Sequence, residues 1–283
     1  MILDGRIVAA DIKQRLKEEI NERMDVIDRR PKLVIISVGD DPASAVYVRN
    51  KMKAAEEVGI EVEHRCFADD VEKDKVLNVI QYYNNEHLMD GIMVQLPLPK
   101  GWDERAIIDA INPAKDVDGL TTINIGRLRS GQSCFTPCTA AGIIDLCKYY
   151  DIDLDGKDVT IIGRSNIVGK PLADMMMAEG ATVTQCHSHT SDVRFHTLPA
   201  DIVVSAIGKP KFISRGYIGY ERIVIDVGIN RDEEGRLCGD VDFDNVKDYC
   251  SAITPVPGGV GPMTVAELMK NVVEAWRGKL QGE

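Results

Sequence analysis

The chain has fewer positive charges than negative ones, and this shortage excludes one large class of partner. Its 34 lysine and arginine residues stand against 45 aspartate and glutamate residues, which gives a formal net charge of −11. Neutralising the phosphates of a nucleic acid requires a basic face, so a general nucleic-acid binder is not expected. A local basic pocket for one phosphorylated cofactor stays compatible with this balance, because net charge does not describe a single site.

The sequence also lacks paired cysteines and long apolar runs. Its seven cysteines include no Cys-x-x-Cys pair and are scattered, at Cys66, Cys134, Cys138, Cys147, Cys186, Cys238 and Cys250. This pattern argues against a disulfide framework and a zinc knuckle, and the histidines show no metal-site spacing. No apolar run approaches the length of a membrane span, and the first residues do not resemble a signal peptide. We therefore expect a cytoplasmic protein that binds neither a membrane nor a metal.

Short β-branched runs alternate with helical patterns along the whole chain. In the first half this alternation predicts strands at residues 32–39, 60–67 and 91–96, and helices at 43–58, 73–84 and 103–111. In the second half it predicts strands at 157–163, 182–187, 201–208, 222–228 and 251–255, and helices at 139–150 and 168–178. Strands that alternate with helices favour mostly parallel sheets with crossover connections. The predicted fold class is α/β, and 283 residues fit two lobes.

The end of the chain predicts one more helix. Thr264-Val-Ala-Glu267 has the form of a capping box, in which the threonine and the glutamate satisfy free N–H groups at a helix start. The helix is expected to run to about Lys279. Because it follows a complete second lobe, we expect it to return and pack on the first.

One helical turn carries the first candidate reaction site. Tyr47 and Lys51 are four residues apart in the segment 44–55, so a helix places them on the same face. A ring that can stack on a flat ligand beside an amine of tunable charge is a candidate site. The same pattern also fits a surface helix with an extended lysine, and this segment alone does not separate the two.

The second candidate site is a glycine-bounded turn between a strand and a helix. Gly163-Arg-Ser-Asn-Ile-Val-Gly169 follows the strand that ends at Ile162, an arrangement that presents free N–H groups and the positive helix end to a diphosphate. An NAD site expects an acidic residue after the next strand, but Ser188 lies there instead. A hydroxyl near Arg164 suits a 2′-phosphate, so the turn favours NADP over NAD.

Seven segments, in order along nearly the whole chain, carry a resemblance to a known family. They are Tyr47-Val-Arg-Asn-Lys51, residues 90–99, Lys115-Asp-Val-Asp118-Gly119, Pro137-Cys-Thr139, residues 163–171, residues 224–230 and residues 254–264. The chain resembles the bifunctional methylenetetrahydrofolate dehydrogenase/methenyltetrahydrofolate cyclohydrolase family of one-carbon metabolism. The resemblance implies oxidation of methylenetetrahydrofolate by NADP, then hydrolysis to formyltetrahydrofolate, in the supply of purine and amino-acid biosynthesis.

The resemblance also implies the architecture. Two α/β lobes would enclose a cleft, the second lobe a Rossmann-type doubly wound parallel sheet. Residues 1–119 would form the folate-binding catalytic lobe, with helix 265–283 packed back on it, and residues 120–264 the NADP-binding lobe. A homodimer is implied as well.

Residue roles follow from the same resemblance. Tyr47 would stack on the folate, Lys51 would be the catalytic amine, Gln95 would orient it, and Asp118 would hold the pterin. The other substrate-binding positions would be Leu96, Pro97, Gly258, Gly259 and Pro262. The dinucleotide would be lined by Gly163, Arg164, Ser165, Ser188 and Ile229. Burial against Tyr47 and the positive charge of the folate are expected to lower the pKa of Lys51 towards the working range.

Three other functions compete with this one. The nearest is a methylenetetrahydrofolate dehydrogenase that lacks cyclohydrolase activity. A non-catalytic NADP-binding sensor with a folate-like groove is the second, and steady NADPH formation would exclude it. An unrelated dehydrogenase of the shikimate type is the third, but it leaves Tyr47, Lys51, Gln95 and Asp118 unexplained.

Overall fold

The computed structural model describes residues 1–24, 26–27 and 29–278, which divide into two compact units. The first unit contains residues 10–136 and the chain from Val265 onward, and the second contains residues 1–9 and 137–264. Both differ from the predicted boundary between residues 119 and 120. Residues 1–9 join the second unit because the Leu3 amide donates to the Ile253 carbonyl at 2.8 Å. Residues 120–136 stay with the first unit, where the Thr122 hydroxyl donates to Asp109 at 2.7 Å.

A three-stranded parallel sheet organises the first unit. Its strands are β1 (Lys32–Val38), β2 (Glu61–Phe67) and β3 (Gly91–Val94), in the order β2-β1-β3. Its helices are α1 (Gly5–Arg23, which begins in the second unit), α2 (Pro42–Val58), α3 (Lys73–Asn85), α4 (Glu104–Asp109) and α5 (Thr122–Arg129). The chain leaves β1 towards β2 on one side and later fills the other side with β3. The carboxyl ends of β1 and β3 are therefore neighbours at a switch point.

Helix α2 has strong signals at both ends. The Asp41 carboxylate accepts the Ser44 N–H at 2.7 Å, and Pro42 occupies the first turn, where its missing N–H costs nothing. Gly59 ends the helix with a φ of 96°, a left-handed conformation that glycine adopts without strain. The helix is thereby fixed at both ends, and Tyr47 and Lys51 lie between them.

A five-stranded parallel sheet organises the second unit. Its strands are β4 (Asp158–Ile162), β5 (Thr182–Cys186), β6 (Ile202–Ser205), β7 (Ile223–Asp226) and β10 (Ala252–Ile253), in the order β10-β7-β6-β4-β5. The remaining elements are α6 (Cys138–Tyr149), α7 (Gly169–Ala178), α8 (Arg194–Thr197), α9 (Phe243–Val246), α10 (Val260–Gly278) and the hairpin β8 (Asn230–Arg231) with β9 (Leu237–Cys238). This confirms the α/β class and a doubly wound parallel sheet. The strand order is the 2-1-3-4-5 type, with its switch point between β4 and β6.

The last helix begins earlier than predicted. Helix α10 starts at Val260, so Thr264 lies inside its first turns, and the capping box predicted there is wrong. The Thr264 hydroxyl donates instead to the carbonyl of Val260, one turn back, at 3.4 Å. From Val265 the helix belongs to the first unit. Residues 279–283 of the predicted helix lie outside the described residues.

None of the helices in the described ranges is both long and apolar enough for a membrane crossing.

A buried ion pair joins the amino ends of β1 and β3. Asp90 is fully buried and accepts two N–H groups of Arg29 at 2.7 and 2.9 Å, as well as the Lys32 amide at 2.9 Å. We expect Asp90→Asn to lower the free energy of unfolding by about 3 kcal/mol, because the guanidinium loses its charged partner. Urea unfolding followed by circular dichroism measures this, with Asp11→Asn at an exposed pair as the matched control. An equal, small effect of both substitutions would contradict the expectation.

Candidate active site and dinucleotide site

Lys51, on α2, has a buried amine that lies at the carboxyl end of β3. The residue is 8% exposed, and its Nζ donates to Gln95 Oε1 at 3.0 Å. The same nitrogen lies 3.4 Å from the sulfur of Met93. Tyr47, one turn earlier on α2, is half-buried, and burial raises the pKa of its hydroxyl. The side chain predicted to be the reactive amine is therefore held inside the unit and not extended along its surface.

Gln95 can hold Lys51 because its own position is fixed. Its backbone N–H donates to the Ile36 carbonyl at 2.8 Å, which continues the pairing of β3 with β1. Its side-chain nitrogen donates to the Leu96 carbonyl at 2.6 Å. The amide oxygen is thereby directed at Lys51. Leu96 is half-buried and Pro97 is exposed, so both follow directly on this site.

Asp118 lies on a loop that runs beside β3. A parallel bridge between Ile92 and Asp116 aligns this loop with the strand, so Asp118 and Gln95 lie at the same end of the sheet. Asp116 itself is 1% exposed, and its carboxylate accepts the Thr121 amide at 2.7 Å and the Asn124 side chain at 2.9 Å. Asp118 is half-buried. Asp116 shapes the loop, and Asp118 is the carboxylate that this loop carries at its turn.

Two more polar side chains secure this loop, and the sequence analysis assigned no role to either. The Lys115 ammonium donates to the carbonyls of Tyr83 and Glu86, both at 2.7 Å. Asn271, on α10, donates to the Val117 carbonyl at 2.9 Å. Lys115 stands within a segment that carried the resemblance, but nothing in the local pattern around Asn271 indicates its distant partner.

The glycine turn after β4 lies against the turn after β6. Gly163 has a φ of 133°, and a Cβ there would fall 2.5 Å from the carbonyl oxygen of Ala206. A Cβ on Gly169 would fall 2.3 Å from the carbonyl oxygen of Gly163. Both positions therefore require glycine, and the turn sits at the switch point of the sheet. Ligands of doubly wound folds bind at this point, outside the carboxyl ends of the strands.

Strand register brings Arg164 and Ser188 to the same edge. Ile162 pairs with Cys186, and the two predicted cofactor residues each come two positions later. Both are exposed, as a group that binds a 2′-phosphate must be. Ser165 is exposed too, and its hydroxyl oxygen accepts the amides of residues 168 and 169 at 3.1 and 3.3 Å. Its lone pairs are thus occupied, which leaves the hydroxyl proton to donate to a phosphate.

Ile229 and the glycines before α10 also belong to the second unit. Ile229 is 45% exposed and follows β7, and a Cβ on Gly261 would lie 3.8 Å from its Cδ1. Gly258 and Gly259 are buried, and a Cβ on Gly259 would fall 2.6 Å from the Pro255 carbonyl oxygen. The protein's own backbone therefore already requires glycine at 259. Pro262 is half-buried in the first turn of α10.

No chemical step is assigned to any of the seven cysteines. None of them forms a disulfide, and burial raises the pKa of Cys147 to about 12. Cys138 is 2% exposed at the start of α6 and packs as a small core residue. The described ranges contain no group of three or more histidine, cysteine or acidic side chains that could hold a metal ion.

A glycine turn at the switch point of a doubly wound sheet is typical of a dinucleotide-binding domain, and the other unit holds a buried amine beside the end of its own sheet. Family comparison makes this class specific. Residues 3–118 match the tetrahydrofolate dehydrogenase/cyclohydrolase catalytic domain, and residues 137–280 match the NAD(P)-binding domain of that family. The chain belongs to the tetrahydrofolate dehydrogenase/cyclohydrolase family.

Individual relatives are similar to this chain over nearly its full length. The bifunctional protein FolD of Agathobacter rectalis is 51% identical over 276 residues, which cover 98% of this chain and 99% of the relative. The crystal structure of bifunctional FolD from Campylobacter jejuni is similar at a TM-score of 0.96 and 43% identity, over 99% of both chains. The FolD structure from Trypanosoma brucei, in complex with NADP and an inhibitor, is similar at a TM-score of 0.95 and 36% identity. The match covers 99% of this chain and 98% of the Trypanosoma brucei chain.

These findings confirm the family resemblance and the enzyme class. The protein is an NADP-dependent methylenetetrahydrofolate dehydrogenase and methenyltetrahydrofolate cyclohydrolase. The alternative of a monofunctional dehydrogenase is not favoured.

Proposed function

We propose that both reactions use the folate site of the first unit, with Lys51 as the group that moves protons during hydrolysis. The observation that carries this proposal is the 3.0 Å hydrogen bond between Lys51 Nζ and Gln95 Oε1, at an amine that is 8% exposed. Burial disfavours a charged amine, whereas the accepting oxygen favours it. A positively charged methenyl substrate nearby adds to the first effect and makes the neutral amine easier to reach.

The hydride step asks less of the protein. NADP, when bound, accepts a hydride from the methylene bridge of the substrate, and the protein supplies alignment. Tyr47 stacks on the folate rings, Asp118 accepts hydrogen bonds from the pterin ring nitrogens, and Leu96 and Pro97 line the site. Gly258, Gly259 and Pro262 complete the substrate-binding positions.

Hydrolysis requires three proton movements and releases one proton overall. Water adds to the methenyl carbon and loses a proton, the ring nitrogen that leaves this carbon gains one, and the remaining hydroxyl loses its proton as the C=O bond forms and the C–N bond breaks. The product is formyltetrahydrofolate. Lys51 in its neutral form can take the first proton and, as an ammonium, return it to the leaving nitrogen.

The second unit binds NADP at its switch point. Gly163, Ser165 and Ile229 line the dinucleotide, while Arg164 and Ser188 contact the 2′-phosphate. These residues fit the group because an exposed cation and an exposed hydroxyl stand at one sheet edge, and residues 187–190, directly after β5, include no carboxylate that would repel a phosphate.

One assay tests the reaction class and the cofactor together. Purified protein is mixed with methylenetetrahydrofolate and either NADP or NAD, and the reduced nicotinamide and the methenyl intermediate are followed by absorbance. We expect steady NADPH formation, a slower reaction with NAD, and enzyme-dependent decay of added methenyltetrahydrofolate. Absence of that decay would contradict the cyclohydrolase role of Lys51.

A substitution at Gln95 tests the proton step directly. Gln95→Glu keeps an acceptor near Lys51 but adds a negative charge, which stabilises the ammonium form. We expect the pH profile of hydrolysis to move to higher pH, with a rate about 10-fold lower at neutral pH. Gln95→Leu, which removes the acceptor, is the control and should not move the profile upward. An unmoved profile in Gln95→Glu would show that Gln95 does not act through Lys51.

We also propose the assembly and the location of the protein. A homodimer fits the open edge of the first sheet, where β2 is largely exposed and Tyr82 on the neighbouring α3 is 60% exposed. Light scattering on the purified protein measures its mass directly. The cytoplasm, where thiols stay reduced, fits seven cysteines that form no disulfide, and fractionation of cells tests it.

A further inference from the structure

Two buried carboxylates at the carboxyl end of the second sheet have no role in the proposed chemistry. Asp226 ends β7 and is 2% exposed, and Asp240 follows β9 and is fully buried. Burying charged groups is costly unless hydrogen bonds compensate for the loss of water. Their presence here needs a reason.

Asp240 gathers donors from two separate loops. One oxygen accepts the Ser205 hydroxyl at 3.1 Å and the amides of residues 207 and 208 at 2.8 and 3.3 Å. The other accepts the amide of residue 209 at 2.8 Å and the Asn230 side chain at 2.9 Å. Residues 206–209 follow β6, and Asn230 begins β8 just after β7. One carboxylate thus fixes the turns that follow two adjacent strands.

Asp226 holds Asp240 in this position. Its carboxylate accepts the amides of Gly228, Asp240 and Val241 at 3.0, 2.9 and 2.8 Å. Burial raises the pKa of Asp226 to about 7. The neighbouring Asp240 charge acts in the same direction, and the three hydrogen bonds act in the opposite direction. A Cβ on Gly228 would fall 2.1 Å from an Asp240 oxygen, so the glycine makes room for the pair.

The turns fixed by Asp240 border the dinucleotide site. Ala206 opens the turn after β6, and its carbonyl oxygen is the atom that a Cβ on Gly163 would meet. Ile229, proposed to line the cofactor, immediately precedes Asn230. We propose that Asp240 is a positioning residue for the dinucleotide, holding residues 206–209 and 227–230 in the arrangement that NADP requires. This inference rests on the proposed placement of NADP at the switch point.

The arrangement requires a carboxylate and not an amide. Both oxygens of Asp240 accept hydrogen bonds, and an asparagine has only one oxygen. In Asp240→Asn, the new NH₂ group would face either two or three donors, and at least one turn would shift. Asn230→Ala is a milder change, because it removes a single donor and leaves the bonds to residues 205–209 in place.

Steady-state kinetics of the full chain test the inference, since hydrolysis of methenyltetrahydrofolate can be measured without NADP. We expect Asp240→Asn to raise the KM for NADP and for NAD by at least about 10-fold, and Asn230→Ala to raise both by about 3-fold. Hydrolysis without cofactor should stay within about 2-fold of the original rate. Asp201→Asn is the matched control. The Asp201 carboxylate accepts the Asp158 amide at the amino ends of β6 and β4, away from the cofactor site, so this substitution should leave both KM values unchanged.

The outcomes separate this inference from the proposed cofactor site. An unchanged KM for both cofactors in folded Asp240→Asn overturns the positioning role, and so does an equal loss of hydrolysis and dehydrogenation. If Asp240→Asn does not fold, as judged by circular dichroism, Asn230→Ala decides alone, and unchanged KM values overturn the inference. A defect confined to NADP points to 2′-phosphate contact and also overturns it. Failure of the proposed cofactor site shows instead as unaltered NADP use in Arg164→Gln.

Discussion

Replacing Lys51 by methionine is expected to abolish nearly all hydrolysis of methenyltetrahydrofolate while the protein stays folded. Methionine fills a similar volume beside Met93 but cannot accept or donate a proton, so the rate should fall by about 100-fold or more. The dehydrogenase reaction should fall less, because its hydride moves directly to the cofactor. The measurement is the decay of methenyl absorbance without NADP, followed by NADPH formation from methylenetetrahydrofolate.

Two further variants sharpen this result. Lys53→Met on the exposed side of α2 makes the same chemical change outside the site and should leave hydrolysis unchanged. Lys51→Arg retains a positive charge on a group that does not deprotonate. If Lys51 acts by exchanging a proton, Lys51→Arg is as inactive as Lys51→Met. Substantial hydrolysis by Lys51→Arg would instead assign the lysine an electrostatic role, and intact hydrolysis by Lys51→Met would remove it from the mechanism.

The alternation of apolar runs and helices predicted the parallel strands well, since buried parallel strands are continuously apolar. The register of those strands could not be predicted, because it depends on contacts between distant segments. That register matters for function. It places Arg164 and Ser188 at one edge, and it places Asp118 beside the end of β3.

Helix α1 was not predicted, although the sequence contains its signal. Its larger buried apolar side chains are Val8, Ile12, Leu16 and Ile20, which repeat every four residues. Between them lie charged residues that lower the average hydrophobicity of the segment. A search for apolar period, not for apolar content, would have found this helix.

The role of Asp240 could not be predicted from local sequence. Asp-Gly and Gly-Asp pairs are common in turns, and the sequence around residue 240 suggests nothing more. Its five donors come from residues 205–230, and the structure brings them together only when β6, β7 and β9 are in place. The glycines showed a related limit. The family resemblance implied a substrate-binding role for Gly259, and the structure shows that the chain's own Pro255 carbonyl already requires glycine there.

Replacing Arg164 by glutamine is expected to remove most of the preference for NADP over NAD. A charge-assisted hydrogen bond to a phosphate contributes about 1.5–3 kcal/mol, so the KM for NADP should rise by about 10- to 100-fold. The KM for NAD should change little, because that cofactor has a free hydroxyl where NADP has its 2′-phosphate. Initial rates with each cofactor, at saturating methylenetetrahydrofolate, measure both values.

Lys157→Gln is the matched control, because it removes the same charge from an exposed residue. Lys157 precedes β4, at the amino end of the strand and away from the cofactor site. It should leave both KM values unchanged. The salt dependence adds an independent check, because screening weakens an exposed charge pair. Raising the ionic strength should therefore increase the KM for NADP of the original protein but not that of Arg164→Gln. If salt affects both proteins equally, another cation binds the 2′-phosphate, and Arg164 is not the residue that distinguishes the two cofactors.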